Sequence, residues 1–352
     1  MKQVCVIGHF AWKTNDMIGA VVKARSICEE LQHQLGIKQV GQVDIYHWRK
    51  HAVPTLARIV RACARYQHIV LVCSDTSTLM MQLFKILKKL FHNTIHYAVV
   101  GGDMAEIFEQ HPERIVAASI IDHIYVETQD CLQDLQKIGF TNAELMRNFK
   151  CITALEEHEL ATWPDGGEFR FCTFSRIIEQ KGILDAMVAV DQINQMGKQH
   201  CSLDVYGTVD PSFKEIFEHA LLQYSDTKYQ GCVDSSKSVE ILQDYYCLLF
   251  PTRYQTEGIP GTIVDGFAAG VPVICSMWSR YSQVVHPYFD GIVYAFGDVE
   301  ALREAICWVI ENPDAIRGMK TNCLKTYQTY YAPEKAIQPL LQNMQVKITV
   351  SK

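Results

Sequence analysis

The sequence predicts an α/β protein built from two Rossmann-like, doubly wound domains facing a cleft. Three observations carry that prediction. The chain has 352 residues, more than one hydrophobic core usually takes. Short apolar runs alternate with amphipathic stretches, the pattern of parallel strands joined by crossover helices. The alternation breaks at Thr162-Trp163-Pro164-Asp165-Gly166-Gly167-Glu168, a run rich in turn residues, and restarts at Phe169. The domains are therefore drawn as 1–162 and 168–330. A last helical segment, 331–352, is opened by Pro333 and is expected to cross back to the first domain.

In the first half, Val4–Ile7, Gln42–Tyr46, His68–Cys73, Ile95–Val100, His123–Glu127 and Glu144–Met146 read as strands. Between them Met17–Leu35, Thr55–Tyr66, Ser77–Phe91 and Asp130–Ile138 carry apolar residues at helical spacing. The second half repeats the scheme with strands Phe169–Phe174, Ser202–Tyr206, Cys247–Phe250 and Pro272–Cys275. Its helices are expected at Gly182–Met196, Pro211–Gln223, Ser238–Tyr245, Val299–Ile310 and Pro333–Met344.

Composition narrows the function. A chain that is 48% hydrophobic and 20% charged is an ordinary globular protein. No run approaches the roughly 20 apolar residues of a membrane-spanning helix. Met1–Gly8 reads as a strand, its apolar run too short for a signal peptide. The 13 cysteines are scattered without paired spacing and fit small core residues in a reducing, cytoplasmic compartment. With no C-x-x-C and no Asp-x-Asp, no metal is expected. Residues 1–150 hold 17 Lys and Arg against 14 Asp and Glu, a net +3 that leaves −9 of the total −6 to the rest. Without a strongly basic domain or an aromatic ladder, nucleic acid is not an expected partner. Lys85, Lys88, Lys89 and His92 share one helix face, and Arg58, Arg61 and Arg65 have similar spacing. Such a face is either solvated or a patch for anionic lipid headgroups.

Candidate chemistry concentrates after the buried strand that ends at Pro251. There Thr256-Glu257-Gly258-Ile259-Pro260-Gly261-Thr262-Ile263-Val264-Asp265 leads into a short helix. Gly258 and Gly261 remove side chains where a backbone must come close to something. A helix opened at Gly261-Thr262 turns free N–H groups and its positive end toward one point, which favours an anion. Glu257 and Asp265 bracket that nest. Carboxylates beside an anion site need neutral partners, and sugar hydroxyls fit, so the stretch reads as a site for a phosphorylated sugar. Upstream, Arg176 and Lys181 flank the turn after the strand Phe169–Phe174 and can both meet an anion ahead of the next helix.

With seven residues between Glu257 and Asp265, the stretch resembles the acid-x7-acid motif of retaining family 4 glycosyltransferases of the GT-B fold. Its Pro-Gly-Thr centre and Asp265 resemble the branch that builds bacterial surface polysaccharides. Arg176 and Lys181-Gly182 resemble that family's diphosphate clamp. The resemblance implies transfer from a nucleotide-diphosphate sugar, with retention and without metal or other cofactor, to a glycan or polyprenyl-linked glycan. It implies that Glu257 holds sugar hydroxyls, that Asp265 holds the ribose, and that Gly258, Ile259, Pro260, Gly261 and Thr262 line the donor. It further places Gly19 over the diphosphate and Gly207 and Val233 beside the nucleotide. His9, Asn15 and Asp103 are candidates for the acceptor or sugar. Segment 276–285 departs from the family pattern, with Arg280-Tyr281 and Gln283 where relatives carry two glycines and a glutamate. The expected location is cytoplasmic, with a peripheral place on the inner face of the membrane. Two other readings share the fold: a sugar-nucleotide epimerase, and a non-catalytic nucleotide-sugar binding subunit.

Overall fold

The computed structural model describes residues 2–12, 14, 18–73, 78–101, 104–160, 168–197 and 199–345. The chain divides into two compact units, Met1–Cys151 with Ala332–Lys352, and Ile152–Tyr331. Each is built on its own six-stranded sheet, and all the strand pairs are parallel.

The first unit has strands β1 (Lys2–Gly8), β2 (Val40–Asp44), β3 (Tyr66–Cys73), β4 (Thr94–Val99), β5 (His123–Val126) and β6 (Ala143–Leu145). They lie in the order β2-β1-β3-β4-β5-β6. Its helices are α1 (Gly19–Leu35), α2 (Ala52–Arg65), α3 (Thr78–Phe91), α4 (Met104–Gln110), α5 (Pro112–Ala118) and α6 (Gln129–Lys137). A parallel sheet is covered on both faces, so its strands read as continuous apolar runs. On one face Ile59, Phe84 and Leu87 pack with Ile7, Leu71 and Tyr97. On the other, Ile27 and Leu31 pack with Val4, Val6, Val70 and Tyr125, joined by Ile337, Leu340 and Leu341 from the far end of the sequence.

The second unit has β7 (Phe169–Phe174), β8 (Cys201–Tyr206), β9 (Thr227–Gly231), β10 (Cys247–Phe250), β11 (Val273–Ser276) and β12 (Gly291–Tyr294), in the order β12-β11-β10-β7-β8-β9. Its helices are α7 (Ile183–Gln195), α8 (Lys214–Gln223), α9 (Ser238–Leu242), α10 (Gly261–Ala268), α11 (Val299–Glu311) and α12 (Pro313–Thr326). The expected helix Pro333–Met344 is two pieces, α13 (Pro333–Ala336) and α14 (Gln338–Asn343). Pro339, near the start of α14, has no N–H to continue a single helix.

The first unit ends at Cys151, ahead of the boundary drawn at 162. The following residues are tied to the second unit instead. The Tyr327 hydroxyl donates to the Ile152 carbonyl (3.1 Å), and the Leu155 N–H donates to the Ala268 carbonyl (2.9 Å). The expected basic face on α3 also loses a member. Lys88 donates to the Asp122 carboxylate and to the Ile120 carbonyl, both at 2.7 Å. Among the described residues, no helix is long and apolar enough to cross a membrane. Burial pushes the thiols of Cys5 and Cys247 up to about 12, as suits unreactive core residues.

Candidate functional site

Open α/β sheets bind ligands outside the carboxyl ends of their strands, where the strand order reverses. In the second unit that point lies between β7 and β10. After β7 the chain passes through Arg176 and a one-turn 3-10 helix, Glu179–Lys181, before Gly182 caps the start of α7. Gly182 is left-handed (φ 64), and a Cβ there would sit 1.9 Å from the Pro251 carbonyl oxygen. Only glycine allows this turn to rest on the end of β10. The Arg253 N–H donates to the Gln180 carbonyl (2.8 Å). The Arg253 guanidinium forks onto both carboxylate oxygens of Asp185 in the first turn of α7 (2.8 and 2.7 Å).

These ties bring Lys181 and Glu257 together. The Lys181 ammonium pairs with Glu257 Oε1, and the Thr252 hydroxyl donates to the same oxygen at 3.0 Å. The pair is only partly buried, at 19% and 15% side-chain exposure, so it can still meet a ligand. Glu257 Oε2 has no hydrogen-bond partner among the described residues. Lys181 also sits over the rings of Phe250 (5.4 Å) and Tyr254 (5.8 Å), surfaces that hold a cation without neutralising it.

Beside this pair, Pro260 caps α10 without a side-chain bond, and its carbonyl accepts the N–H groups of Ile263 (3.0 Å) and Val264 (3.3 Å). The N–H groups of Gly261 and Thr262 stand outside that ladder, at the positive end of the helix. Gly258 and Gly261 are not in the left-handed region, so what glycine contributes there is the missing side chain. Ile259 and Pro260 are buried behind the turn. The Thr262 hydroxyl is buried with no hydrogen-bond partner among the described residues. Asp265 is only 3% exposed.

The remaining candidates are more dispersed. Arg176 is exposed. The Ser212 hydroxyl and N–H hold Asp210 below its ordinary carboxylate range, and the charge of Arg176 adds a smaller effect in the same direction. Gly207 (φ 141) has a packing role of its own, since a Cβ there would meet the Ser175 carbonyl oxygen at 1.8 Å. Val233 is half-buried in the loop after β9. In the departing segment, Trp278 is buried edge-on to Phe250 (5.6 Å), and its indole N–H has no partner among the described residues.

In the first unit the order reverses between β1 and β3. His9 follows β1 there, half-buried and edge-on to the Tyr46 ring (5.8 Å). The Asp44 carboxylate braces the loop by accepting the N–H groups of Phe10 (3.1 Å) and Tyr46 (2.8 Å). Gly19 opens α1 and is exposed. A buried ion pair, Lys23 with Glu127 (2.6 Å), ties that helix start to the carboxyl end of β5. Asn15 and Asp103 lie outside the described residues.

Sequence reasoning missed Thr252, Arg253 and Asp185. Asp185 left a signal: it is a carboxylate on the buried side of an apolar helix, and such a charge needs a partner. Thr252 left none, because its acceptor lies across a turn.

The geometry defines a class, and comparison with known proteins agrees on it. The fold is GT-B, two Rossmann-like domains each carrying a parallel sheet with flanking helices. Residues 158–326 match the family model described as "Glycosyl transferases group 1", a span that holds Arg176, Lys181, Glu257 and Asp265. The structure of HepE from Anabaena in complex with UDP aligns with a TM-score of 0.74 at 13% identity, over 98% of this chain and 100% of that one. Sucrose-phosphate synthase from Thermosynechococcus elongatus aligns with a TM-score of 0.75 at 15% identity, over 98% of each chain. In sequence, D-rhamnosyltransferase WbpZ of Pseudomonas aeruginosa is 25% identical over 113 residues. That alignment spans 32% of this chain and 30% of the relative.

Proposed function

We propose that the protein transfers a sugar from a nucleotide-diphosphate sugar to a glycan or polyprenyl-linked glycan, with retention at the anomeric carbon. The reading rests above all on one observation: Lys181 and Glu257 meet at the reversal of the second sheet, beside the open N-terminus of α10. Support comes from the group 1 match and from neighbours of the same fold, one of them bound to UDP.

In the proposed reaction the bond from the anomeric carbon to the diphosphate oxygen breaks, and the acceptor oxygen bonds to that carbon. The acceptor proton passes to the departing phosphate, which makes a separate protein base unnecessary. Lys181, Arg176 and the N–H groups of Gly261 and Thr262 stabilise the charge that develops on the diphosphate. Preorganised donors of this kind are usually the largest catalytic term. Glu257 Oε2 accepts from the sugar, and Asp265 serves the ribose. With these cations and a helix end for the diphosphate, no metal is required.

The acceptor end belongs, in this proposal, at an anionic membrane. On α2 the exposed residues Val53 (80%), Leu56 (44%) and Val60 (36%) share one face. On α3, Ile86 (59%) and Leu90 (64%) are exposed as well. Arg58, Arg61 and Arg65 on α2 and Lys85 and Lys89 on α3 accompany them, and neither helix contains an acidic residue. Apolar tips among cations suit an anionic lipid surface. We infer from this surface a peripheral position on the inner face of the membrane, and propose a surface polysaccharide as the product.

The test is a thermal-shift screen with UDP, GDP, ADP and CMP, then turnover of sugars on the nucleotide that binds. A ligand at 100 times its Kd adds about 2.7 kcal/mol. Nucleotide release from one such donor, undiminished by EDTA, is the expected result. Release that needs added magnesium or manganese would overturn the metal-free reading, and no response to any nucleotide would overturn the function.

A further inference from the structure

Glu257 has two anchors on one oxygen, and only one of them is free to stay there through the reaction. Lys181 and Thr252 both bind Oε1. If Lys181 serves the leaving diphosphate, it must give up part of its hold on Glu257 as charge builds there. Thr252 has no such second task. It is 1% exposed and fixed from three directions. Its hydroxyl accepts the Tyr254 N–H (3.1 Å), which directs the hydroxyl proton toward Glu257. Its carbonyl accepts the Ser276 hydroxyl (2.6 Å). The Gln180 carbonyl lies 3.5 Å from the same hydroxyl, too far to compete with a carboxylate at 3.0 Å.

We propose that Thr252 is a positioning residue, which keeps Oε2 of Glu257 aimed at the donor sugar while Lys181 turns to the diphosphate. The inference rests on the donor-site reading above and deepens it. Without the hydroxyl, Glu257 would follow Lys181, and the sugar would lose its acceptor when the barrier is crossed. The nucleotide diphosphate alone would bind as before, since Thr252 does not face it in this scheme.

The experiment compares Thr252→Val, which keeps the shape and removes the hydroxyl, with Thr252→Ser, which keeps the hydroxyl. Each is titrated with the nucleotide diphosphate that stabilises the wild type and assayed for release of that nucleotide from its sugar. Thr252→Val is expected to bind the nucleotide diphosphate as the wild type does and to lose about tenfold or more in kcat, the scale of one hydrogen bond to a charged group. Thr252→Ser should recover most of that loss. Equal kcat for Thr252→Val and wild type would overturn the positioning role, as would a matching loss in nucleotide-diphosphate affinity. Equal impairment of the Ser and Val variants would point to packing and overturn it too. If the wild type releases nucleotide from no sugar donor, the donor-site reading falls and takes this role with it. That result cannot be mistaken for the others.

Discussion

Lys181 and Glu257 are bound to each other here, so replacing either one changes the other. Removing Lys181 takes a charge-assisted bond from the proposed diphosphate site, a change of about tenfold in affinity. Lys181→Ala, and to a lesser degree Arg176→Ala, should therefore weaken a nucleotide diphosphate while leaving the matching nucleoside nearly unaffected. Glu257→Gln should leave nucleotide-diphosphate affinity equal to wild type or slightly tighter, because it releases Lys181, yet it should reduce turnover strongly. Asp265→Ala should weaken the nucleotide itself. Titration calorimetry with nucleoside, nucleotide diphosphate and sugar nucleotide separates these roles. Glu257→Gln weakening the diphosphate, with Lys181→Ala sparing it, would mean the two had been assigned the wrong way round. That Lys181 and Glu257 could be picked from sequence at all follows from local pattern: each sits in a turn next to a glycine and a helix start. Thr252 and Arg253 had no such mark, since they join residues 68 or more positions apart or cross a turn to a neighbour.

At the level of elements, legibility followed burial. Strands β7 and β10 were read to the residue, and β10 is buried throughout. By contrast, β9 is an edge strand whose Lys228, Tyr229 and Gln230 are exposed, so it left no apolar run. Strand β12 is only four residues long and α12 is polar with Gly318 in its middle, so neither was read from the sequence. Helices α4 and α5 are seven residues each and part at His111, too short to show a helical period. The α2 and α3 faces make a prediction of their own. Vesicles rich in phosphatidylglycerol should sediment the protein at low salt and release it at high salt, since surface charges are screened within about 10 Å at 0.1 M. Arg58→Glu with Arg61→Glu, or Val53→Glu with Leu56→Glu, should each abolish that binding while sparing turnover of a soluble acceptor. Binding that ignores lipid charge, salt and both double variants would return these helices to ordinary solvated surface. A second prediction concerns β3, β4 and β5, which carry His68, His96 and His123. Nε2 of His96 lies 3.1 Å from Nδ1 of His68, and its Nδ1 lies 3.0 Å from the Tyr125 hydroxyl. Asn343 of α14 donates to that hydroxyl (3.1 Å) and to Glu144 (2.7 Å). Burial, with the nearby histidines, pushes His96 down from 6.5 to about 2. The unfolded chain therefore binds more protons between those values. Stability is unaffected above about pH 6.5 and falls below it by up to about 1.4 kcal/mol per pH unit. Hydrogen exchange of β4 amides, corrected for intrinsic rate, should show that loss between pH 7 and 5. His96→Phe should flatten it, and an equal loss in that variant would place the acid sensitivity elsewhere.

For the whole molecule, the two units carry different burdens. The second holds the four residues on which the proposed chemistry turns, and it lies between the two parts of the first in the sequence. The sequence restart at Phe169 disclosed two sheets but not their boundary, because residues 152–160 have no strand or long helix to reveal which unit they join. The first unit closes its core with Ala336, Ile337, Leu340, Leu341 and Met344, so it is not a segment that can be cut out of the chain. This bears on how the protein is made. As residues 2–151 emerge from the ribosome, α1 can cover part of one face of their sheet, but the places filled by Leu340 and Leu341 stay bare. The second unit follows as an unbroken stretch and can finish folding while the first still waits. During that interval Val4, Val70 and Tyr125 border an unfilled apolar strip, the kind of surface that draws chaperones or other nascent chains. The interval ends only when α13 and α14 arrive, so this face of the first sheet is sealed after the whole second unit has been made.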